Sequence, residues 1–275
     1  MEIKNRGYQE DEKEFLKMFR ELCRSRNAWE VWTDLITVMA CSIVNVLDQK
    51  SDRKESREKE YANCIKRLGG VEKPAYLFAL IVEALEKNPD QDFLGKLYMN
   101  LELGNHWKGQ FFTPYNVSRC MAEITTGDCK GQVKKQGWIS VCDTCVGGGA
   151  MLIAAANTMR RQKINYQNHI LFVGQDIDRV VGMMAYIQIS LLGCPGYVVI
   201  ANTLTNPIVG DALQPTEREG QEFWYTPLYY SEVWHYRRVI AAFKQMAGNE
   251  QTAQSISLRG GFLFEFNEGG EQNVV

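Results

Sequence analysis

Over the first hundred residues, apolar side chains recur every three or four positions, which is the period of an amphipathic α-helix. Phe15, Phe19 and Leu22 share one face of a predicted helix over residues 12–24. The same period predicts four more helices, over residues 28–47, 52–68, 75–85 and 92–103. We therefore predict an all-helical N-terminal domain over residues 1–104.

From residue 138 onward the pattern changes to short apolar runs that alternate with helical segments of ten or more residues. The runs that read as strands cover residues 138–142, 170–175 and 197–201. The helical segments between them cover residues 150–160 and 179–192. Strands joined by such helices form parallel sheets with right-handed crossovers. The pattern thus predicts an α/β domain over residues 105–275.

Three consecutive glycines, Gly147 to Gly149, separate the first predicted strand from its helix, and acids end the first two strands at Asp143 and Asp176. Glycine allows positive φ and lets a ligand approach the backbone closely. The first turn of the helix also offers unpaired N–H groups. An acid after the second strand is where a ribose hydroxyl pair is usually held. We interpret this stretch as a nucleoside-type cofactor loop, and a packing turn without a ligand is the alternative.

Composition adds little to this picture. The chain has 275 residues, a formal net charge of −2 and a hydrophobic content of 45%, all ordinary for a globular protein. The charge does not indicate the basic face of a nucleic-acid-binding protein. No apolar run reaches the ~18 residues of a membrane-spanning helix, and the first nine residues are polar, so we expect a cytoplasmic protein without a leader.

Cys142 and Cys145 form a C-x-x-C pair, but no second pair or nearby histidine completes a zinc set. We therefore expect no metal site. The eight cysteines are interpreted as reduced thiols, and a redox role for the pair is the alternative.

The chain contains four segments, Lys108–Pro114, Asp143–Leu152, Gly174–Asp178 and Ala201–Leu204, that together resemble motifs of the adenine-specific DNA methyltransferases, in particular the modification subunits of type I restriction systems. Asp143–Leu152 is similar to the family's Asp-Pro-Ala-Cys-Gly-Ser-Gly-Gly-Phe-Leu loop. Lys108–Pro114 matches its Lys-Gly-Gln-Phe-Tyr-Thr-Pro segment almost letter for letter. Gly174–Asp178 and Ala201–Leu204 resemble two further motifs, in the same order along the chain.

The resemblance implies a Rossmann-like class I methyltransferase sheet, S-adenosyl-L-methionine as cofactor, and methyl transfer to the exocyclic amine of adenine in double-stranded DNA. Asp176 would hold the ribose and Asn202 the adenine ring of the cofactor. The other implied cofactor contacts are Phe111, Thr113, Asp143, Cys145, Gly147, Gly149 and Ile177. A specificity or restriction subunit, or a second copy of the chain, is the implied protein partner.

The family performs its chemistry with an Asn-Pro-Pro-Phe/Tyr tetrapeptide at the end of the fourth strand, where the aromatic ring stacks on the extruded base. Asn206–Val209 begins correctly but lacks the ring and follows the third strand directly. The better-placed candidates are Thr226, Pro227 and Tyr229. However, threonine presents a hydroxyl in place of the amide.

The C-terminal side departs from the family pattern in other ways. Residues 217–222 are polar where an apolar strand is expected, and too little chain follows for three more strands with their connections. We expect this half of the sheet to be truncated or rebuilt. A catalytically inactive methyltransferase-like subunit that binds S-adenosylmethionine or DNA is therefore the main alternative, and a methyltransferase for RNA or protein is a third.

Two further segments allow a DNA-binding interpretation beside a structural one. The aromatic cluster of residues 223–236 is either a base-stacking platform or part of the core or of a subunit interface. The charged run of residues 51–60 either contacts DNA phosphates or is a solvated helix face.

Overall fold

A computed structural model of the chain describes residues 10–47, 51–101, 112–246, 255–259, 262–266 and 273–274. The helices are α1 (Glu10–Leu22), α2 (Ala28–Val44), α3 (Ser51–Leu68), α4 (Glu72–Lys87), α5 (Phe93–Asn100), α6 (Tyr115–Thr125), α7 (Cys129–Gln136), α8 (Ala150–Arg161), α9 (Tyr166–His169), α10 (Arg179–Leu191) and α11 (Glu232–Met246). The strands are β1 (Ile139–Asp143), β2 (Ile170–Asp176), β3 (Gly196–Ile200), β4 (Val209–Asp211), β5 (Gln214–Thr216), β6 (Glu222–Tyr225), β7 (Ser255–Arg259), β8 (Phe262–Phe266) and β9 (Asn273–Val274). A 3₁₀ turn covers Pro227–Tyr230.

One mixed sheet organises the chain, with strand order β6-β3-β2-β1-β7-β8-β9. Strands β1, β2, β3 and β7 are parallel, whereas β6, β8 and β9 pair antiparallel with their neighbours. The predicted α/β fold with helices before the sheet is confirmed. Because β1, β2 and β3 are parallel, their last residues meet at one side of the sheet, which we call the carboxyl edge.

Apolar residues at helical spacing pack the N-terminal helices onto the sheet domain. Trp32 of α2 is fully buried, and its ring lies 5.6 Å from that of Phe19 and 6.2 Å from that of Tyr98, centroid to centroid. The buried core that begins at Phe15 extends without a break through α10 to Trp224 of β6. The boundary at residue 104 stays a prediction, because residues 102–111 lie outside the described residues.

Most rings of the aromatic cluster near the end of β6 belong to the core, whereas Tyr230 and Tyr236 are exposed. Phe223, Tyr225, Tyr229 and Trp234 are buried, and the Tyr225 and Tyr229 ring centroids lie 4.7 Å apart. The Tyr229 hydroxyl donates to the Leu213 carbonyl over 2.7 Å. These rings are therefore closed to a stacked base, and the core alternative is the one that the structure supports.

Helix α3 contacts the sheet through two arginines, whereas Glu55, Glu58 and Lys59 are exposed as the solvated-face alternative predicts. Arg57 donates to the Phe223 carbonyl over 2.6 Å, and its guanidinium carbon lies 4.4 Å from the centroid of a Trp224 ring. Arg53 pairs with Glu217 at 3.1 Å. Exposed strand edges need such cover, so α3 shields the edge of the sheet at β6.

The C-terminal half of the sheet is rebuilt. Strand β7 lies beside β1 in parallel, with Ser140 opposite Ser255, and β8 and β9 extend the sheet as an antiparallel ladder. The expected fourth strand after β3 does form, as β6, but it runs antiparallel at the other side of the sheet. Among the described residues, no helix combines the length and the apolar character needed to cross a membrane.

Truncating Trp32 should destabilise the whole fold, because its ring fills the centre of the helical core. We expect Trp32→Ala to lower the free energy of unfolding by about 3–5 kcal/mol, measured by urea denaturation followed by circular dichroism. Ile124→Ala is the matched control, because Ile124 is 73% exposed and its change should stay within about 0.5 kcal/mol. Equal effects of the two substitutions would contradict this packing.

Candidate cofactor site

The glycine bend, residues Thr144 to Gly149, connects β1 to α8 at the carboxyl edge. Gly147 and Gly149 have φ angles of 55° and 96°, in the left-handed region that favours glycine. A Cβ atom at Gly149 would lie 3.2 Å from both Cα and Cβ of Ala185 on α10. Glycine is therefore required at 149 both by its dihedral angle and by the close approach of two helices.

The two strand-terminal acids are tied to the bend by backbone hydrogen bonds. The Asp143 carboxylate accepts from the Cys145 N–H over 3.0 Å. The Asp176 carboxylate accepts from the Gly147 N–H over 2.9 Å, and its other oxygen accepts from the Asp178 N–H over 2.9 Å. Asp176 therefore faces the bend, as the predicted ribose site requires.

Some backbone N–H groups at the end of the bend and at the start of α8 have no acceptor among the described residues. The Gly149 N–H donates to the Val146 carbonyl over 2.9 Å. Within the described part of the chain, by contrast, the N–H groups of Gly148 and Ala150 have no hydrogen-bond acceptor. Both residues line the cleft described next, so the start of α8 presents free donors to a ligand there.

An open cleft of about 470 Å³ lies at the carboxyl edge above β1, β2 and β3. This volume is in the range of small-molecule sites. Its lining comprises Phe112, Thr113, Asp143, Thr144, Cys145, Val146, Gly147, Gly148, Ala150, Met151, Asp176, Ile177, Val181, Asn202, Thr203 and Leu204. The loops after three neighbouring strands thus form one site.

The loop after β3 is held in place by its own side chains. The Asn202 side-chain oxygen accepts from the Leu204 and Thr205 N–H groups over 2.9 and 3.3 Å. The Thr203 hydroxyl donates to the Thr144 carbonyl over 2.6 Å. This bond links the loop after β3 to the glycine bend and closes one side of the cleft.

Burial makes both acids resist ionisation. Desolvation raises the pKa of Asp143 to about 7, opposed by the hydrogen bond from Cys145 and reinforced by the nearby charge of Asp176. Burial also raises the pKa of Asp176, against the hydrogen bonds from Asp178 and Gly147. The cleft therefore favours ligand groups that donate hydrogen bonds or carry positive charge.

Most residues predicted to contact the cofactor meet in this cleft. Thr113, Asp143, Cys145, Gly147, Asp176, Ile177 and Asn202 line it. Gly149 does not line the cleft but contributes to the conformation of the bend through its positive φ angle. Phe111 lies outside the described residues. Their roles in binding stay predictions.

The sequence interpretation missed Phe112, which lines the cleft and stacks on Tyr98, with ring centroids 5.0 Å apart. Its ring carbon lies 3.6 Å from the place of a Cβ atom on Gly147. The only sequence signal for it was its position between Phe111 and Thr113.

The predicted catalytic residues lie at the wrong edge of the sheet, and this assignment is corrected. Because β6 runs antiparallel to β3, Tyr225 is paired with Tyr197 at the start of β3, opposite the carboxyl edge. The Thr226 hydroxyl is fully buried, where it accepts from the Gly196 N–H and donates to the Cys194 carbonyl over 2.9 and 2.8 Å. Pro227 and Tyr229 follow it in the 3₁₀ turn. None of the three lines the cleft.

Strand β7 lies beside β1, on the side away from β2, and it also ends at the carboxyl edge. Its register pairs Leu258 with Asp143, so Arg259 ends β7 next to the carboxyl edge. The sequence there reads Leu258-Arg259-Gly260-Gly261-Phe262 and contains no Asn-Pro-Pro. The residue that would hold the adenine amine is thus not supplied by this strand end.

Stability should depend on pH through Asp143. Its folded pKa of about 7 exceeds the ordinary value near 3.9, so this group stabilises the fold below about pH 4 and loses that contribution as pH rises toward 7. Asp143→Asn keeps an acceptor for the Cys145 N–H, and we expect it to flatten the decline in unfolding free energy between pH 4 and 7. Urea titrations across that range measure the effect, and parallel slopes for the two proteins would contradict it.

Comparisons with known proteins identify the family. A model of the N-6 DNA methylase family matches residues 90–257, which is more than half of the chain. A type I restriction-modification methyltransferase subunit from Streptococcus thermophilus is similar over 71% of this chain and 58% of its own, at 14% identity and a TM-score of 0.35. A protein from Listeria monocytogenes, described as a class I S-adenosylmethionine-dependent methyltransferase, is similar over 91% and 73%, at 12% identity and a TM-score of 0.41.

This chain thus spans somewhat over half the length of the Streptococcus subunit. No curated protein matches it. The family match covers α5, the glycine bend, both strand-terminal acids and Asn202. The chain therefore belongs to the N-6 DNA methylase family.

Proposed function

We propose that this chain binds S-adenosyl-L-methionine in the cleft and transfers its methyl group to the exocyclic amine of adenine in double-stranded DNA. One observation carries the proposal. Asp143, Asp176 and Asn202, each after a different parallel strand, converge with the glycine bend on one cleft, in a chain that belongs to the N-6 DNA methylase family.

The donor set of the cleft fits this cofactor. The free N–H groups of Gly148 and Ala150 suit the carboxylate of its methionine part. Asp176 accepts hydrogen bonds and suits the ribose hydroxyl pair, while the exposed apolar side chains of Ile177 and Leu204 suit the flat adenine ring. When bound, the cofactor supplies a methyl group activated by its sulfonium.

The electrostatics of the site suit a cationic ligand. Asp143 is buried and Asp176 is mostly buried, and among the residues that the structure describes no cationic side chain lowers the pKa of either acid. In a site of low effective dielectric, each carboxylate attracts a positive charge more strongly than it would in water. A sulfonium and an ammonium on the same ligand would offset the unfavourable burial of these acids.

The proposed substrate rests on the family and on the four motifs rather than on a visible base pocket. An enzyme that modifies adenine in a duplex must extrude the base from the stack. Recognition of a DNA sequence would come from a specificity subunit, and a restriction subunit or a second copy of the chain would complete the assembly. We propose these partners on the motif resemblance to type I modification subunits.

A second candidate function is a subunit that binds the cofactor without transferring the methyl group. It is favoured by the burial of Thr226 at the far edge of the sheet and by the Arg-Gly-Gly sequence after β7. In such a subunit the cleft would serve assembly or regulation.

Cofactor binding should depend on Asp176. We expect the wild-type protein to bind S-adenosylmethionine in isothermal titration calorimetry. Asp176→Ala should weaken binding by about a hundredfold, because it removes both the proposed acceptor of the ribose hydroxyls and the acceptor of the Gly147 N–H. Thr226→Val is the control, because its hydroxyl makes buried hydrogen bonds at the other edge of the sheet. Equal affinities of wild type and Asp176→Ala would place the cofactor elsewhere.

Methyl transfer separates the two candidate functions. We expect tritium from labelled cofactor to appear in duplex DNA and, after digestion to nucleosides, to elute as N6-methyladenine. Asp176→Ala should abolish the signal and Thr226→Val should retain it, since neither Thr226 nor its neighbours line the cleft. Tight cofactor binding with no label on DNA would support the non-catalytic subunit, whereas label on RNA or protein instead would redefine the substrate.

A further inference from the structure

A buried glutamine connects the glycine bend to the N-terminal helices. Gln188 lies on α10 and is fully buried. Its amide nitrogen donates to the Gly148 carbonyl over 2.8 Å and to the Asp92 carboxylate over 2.7 Å. Its side-chain oxygen accepts from the Leu94 N–H over 3.0 Å. One side chain therefore contacts the cofactor bend and the start of α5 at once.

Asp92 is the other half of this contact. It caps α5 by accepting from the Gly95 N–H over 2.9 Å. It forms no ion pair with any residue that the structure describes, and burial raises its pKa. A Cβ atom on Gly148 would lie 3.6 Å from both Asp92 carboxylate oxygens and 3.5 Å from the Gly95 Cα. The first turn of α5 thus packs directly against the bend.

These contacts fix one particular peptide unit. The peptide between Gly148 and Gly149 is held at both ends, since its carbonyl accepts from Gln188 and its N–H donates to the Val146 carbonyl. The peptides on either side of it carry the free N–H groups of Gly148 and Ala150. Glycines have soft dihedral angles, so without the Gln188 contact the orientation of these two donors would be poorly defined.

We propose that Gln188 is a positioning residue, backed by Asp92, that holds the glycine bend in the conformation that binds the cofactor and so couples cofactor affinity to the docking of α5. The inference rests on the proposed function, because it requires that the bend binds the cofactor. Its physical basis is preorganisation: a loop that is already in its bound conformation loses less entropy on binding. No contact between Gln188 and the ligand is needed.

The test compares cofactor affinity with stability in four variants. Gln188→Leu removes all three hydrogen bonds. Gln188→Glu keeps the size and the acceptor for Leu94 but can retain at most one of the two donated bonds, because a protonated carboxyl has a single O–H. Asp92→Asn keeps the acceptor for Gly95 and Gln188, whereas Asp92→Leu removes it. Thr226→Val is again the control for buried hydrogen bonds lost away from the bend.

We expect Gln188→Leu, Gln188→Glu and Asp92→Leu to raise the dissociation constant of S-adenosylmethionine by about tenfold or more, measured by calorimetry below the onset of thermal unfolding. Asp92→Asn and Thr226→Val should stay within about twofold of wild type, even though Thr226→Val also lowers the melting temperature. A purely structural role of Gln188 would change melting temperatures alone.

The outcomes distinguish this inference from the proposed function. If wild type and Thr226→Val bind the cofactor and the folded Gln188 variants bind equally well, the positioning role is overturned and the proposed function stands. If the wild-type protein does not bind, both are overturned. Should neither Gln188 variant fold, the Asp92 pair decides, because equal affinities of Asp92→Asn and Asp92→Leu contradict the coupling.

Discussion

The hydrogen bond from the Gly147 N–H to the Asp176 carboxylate joins the ends of the two central strands and gives the cleft its form. It depends on the glycine bend after β1, where Gly147 and Gly149 have positive φ angles and the Gly147 N–H reaches the end of β2. It also requires that β1 and β2 run parallel and in register, with Asp143 opposite Gly174. Helix α10 then packs against the bend through Ala185, whose Cα and Cβ atoms would lie only 3.2 Å from a Cβ atom on Gly149. The order of the strands, the positions of the glycines and the packing of α10 thus all contribute to this one hydrogen bond.

Much of this arrangement could be predicted from the sequence, since it depends on local signals. The apolar runs of β1 to β3, the helical periods of α8 and α10, and the glycine triplet between them all coincide with observed elements. Helix α7 was missed although its signals are present: the Asp128 side chain accepts from the Gly131 N–H, and Gly137 ends the helix with φ of 85°. The helix was not recognised because its composition is polar, and a solvated helix has only a weak apolar period.

The strand pairings of the C-terminal half could not be predicted, since they join segments that are distant in sequence. Nothing local to Glu222–Tyr225 tells whether that strand runs parallel or antiparallel to β3, and its direction decides which edge Thr226 reaches. Phe223, Trp224 and Tyr225 are all buried, although successive side chains point to opposite faces of the sheet. The strand therefore has no alternation of apolar and polar residues that would show which face is buried. Likewise the pairing of β7 with β1 spans more than a hundred residues. Transferring a catalytic motif by order along the chain failed for this reason.

Helix α3 has a consequence for how copies of the protein can assemble. Arg57 occupies a carbonyl of β6 that would otherwise be open to an incoming strand, and its charge rests on the Trp224 ring. A homodimer that paired two copies of β6 into one continuous sheet would have to displace Arg57 and expose the Trp224 indole. Growth of the sheet in that direction is therefore blocked by a cation, and self-association must use helices or loops on that flank.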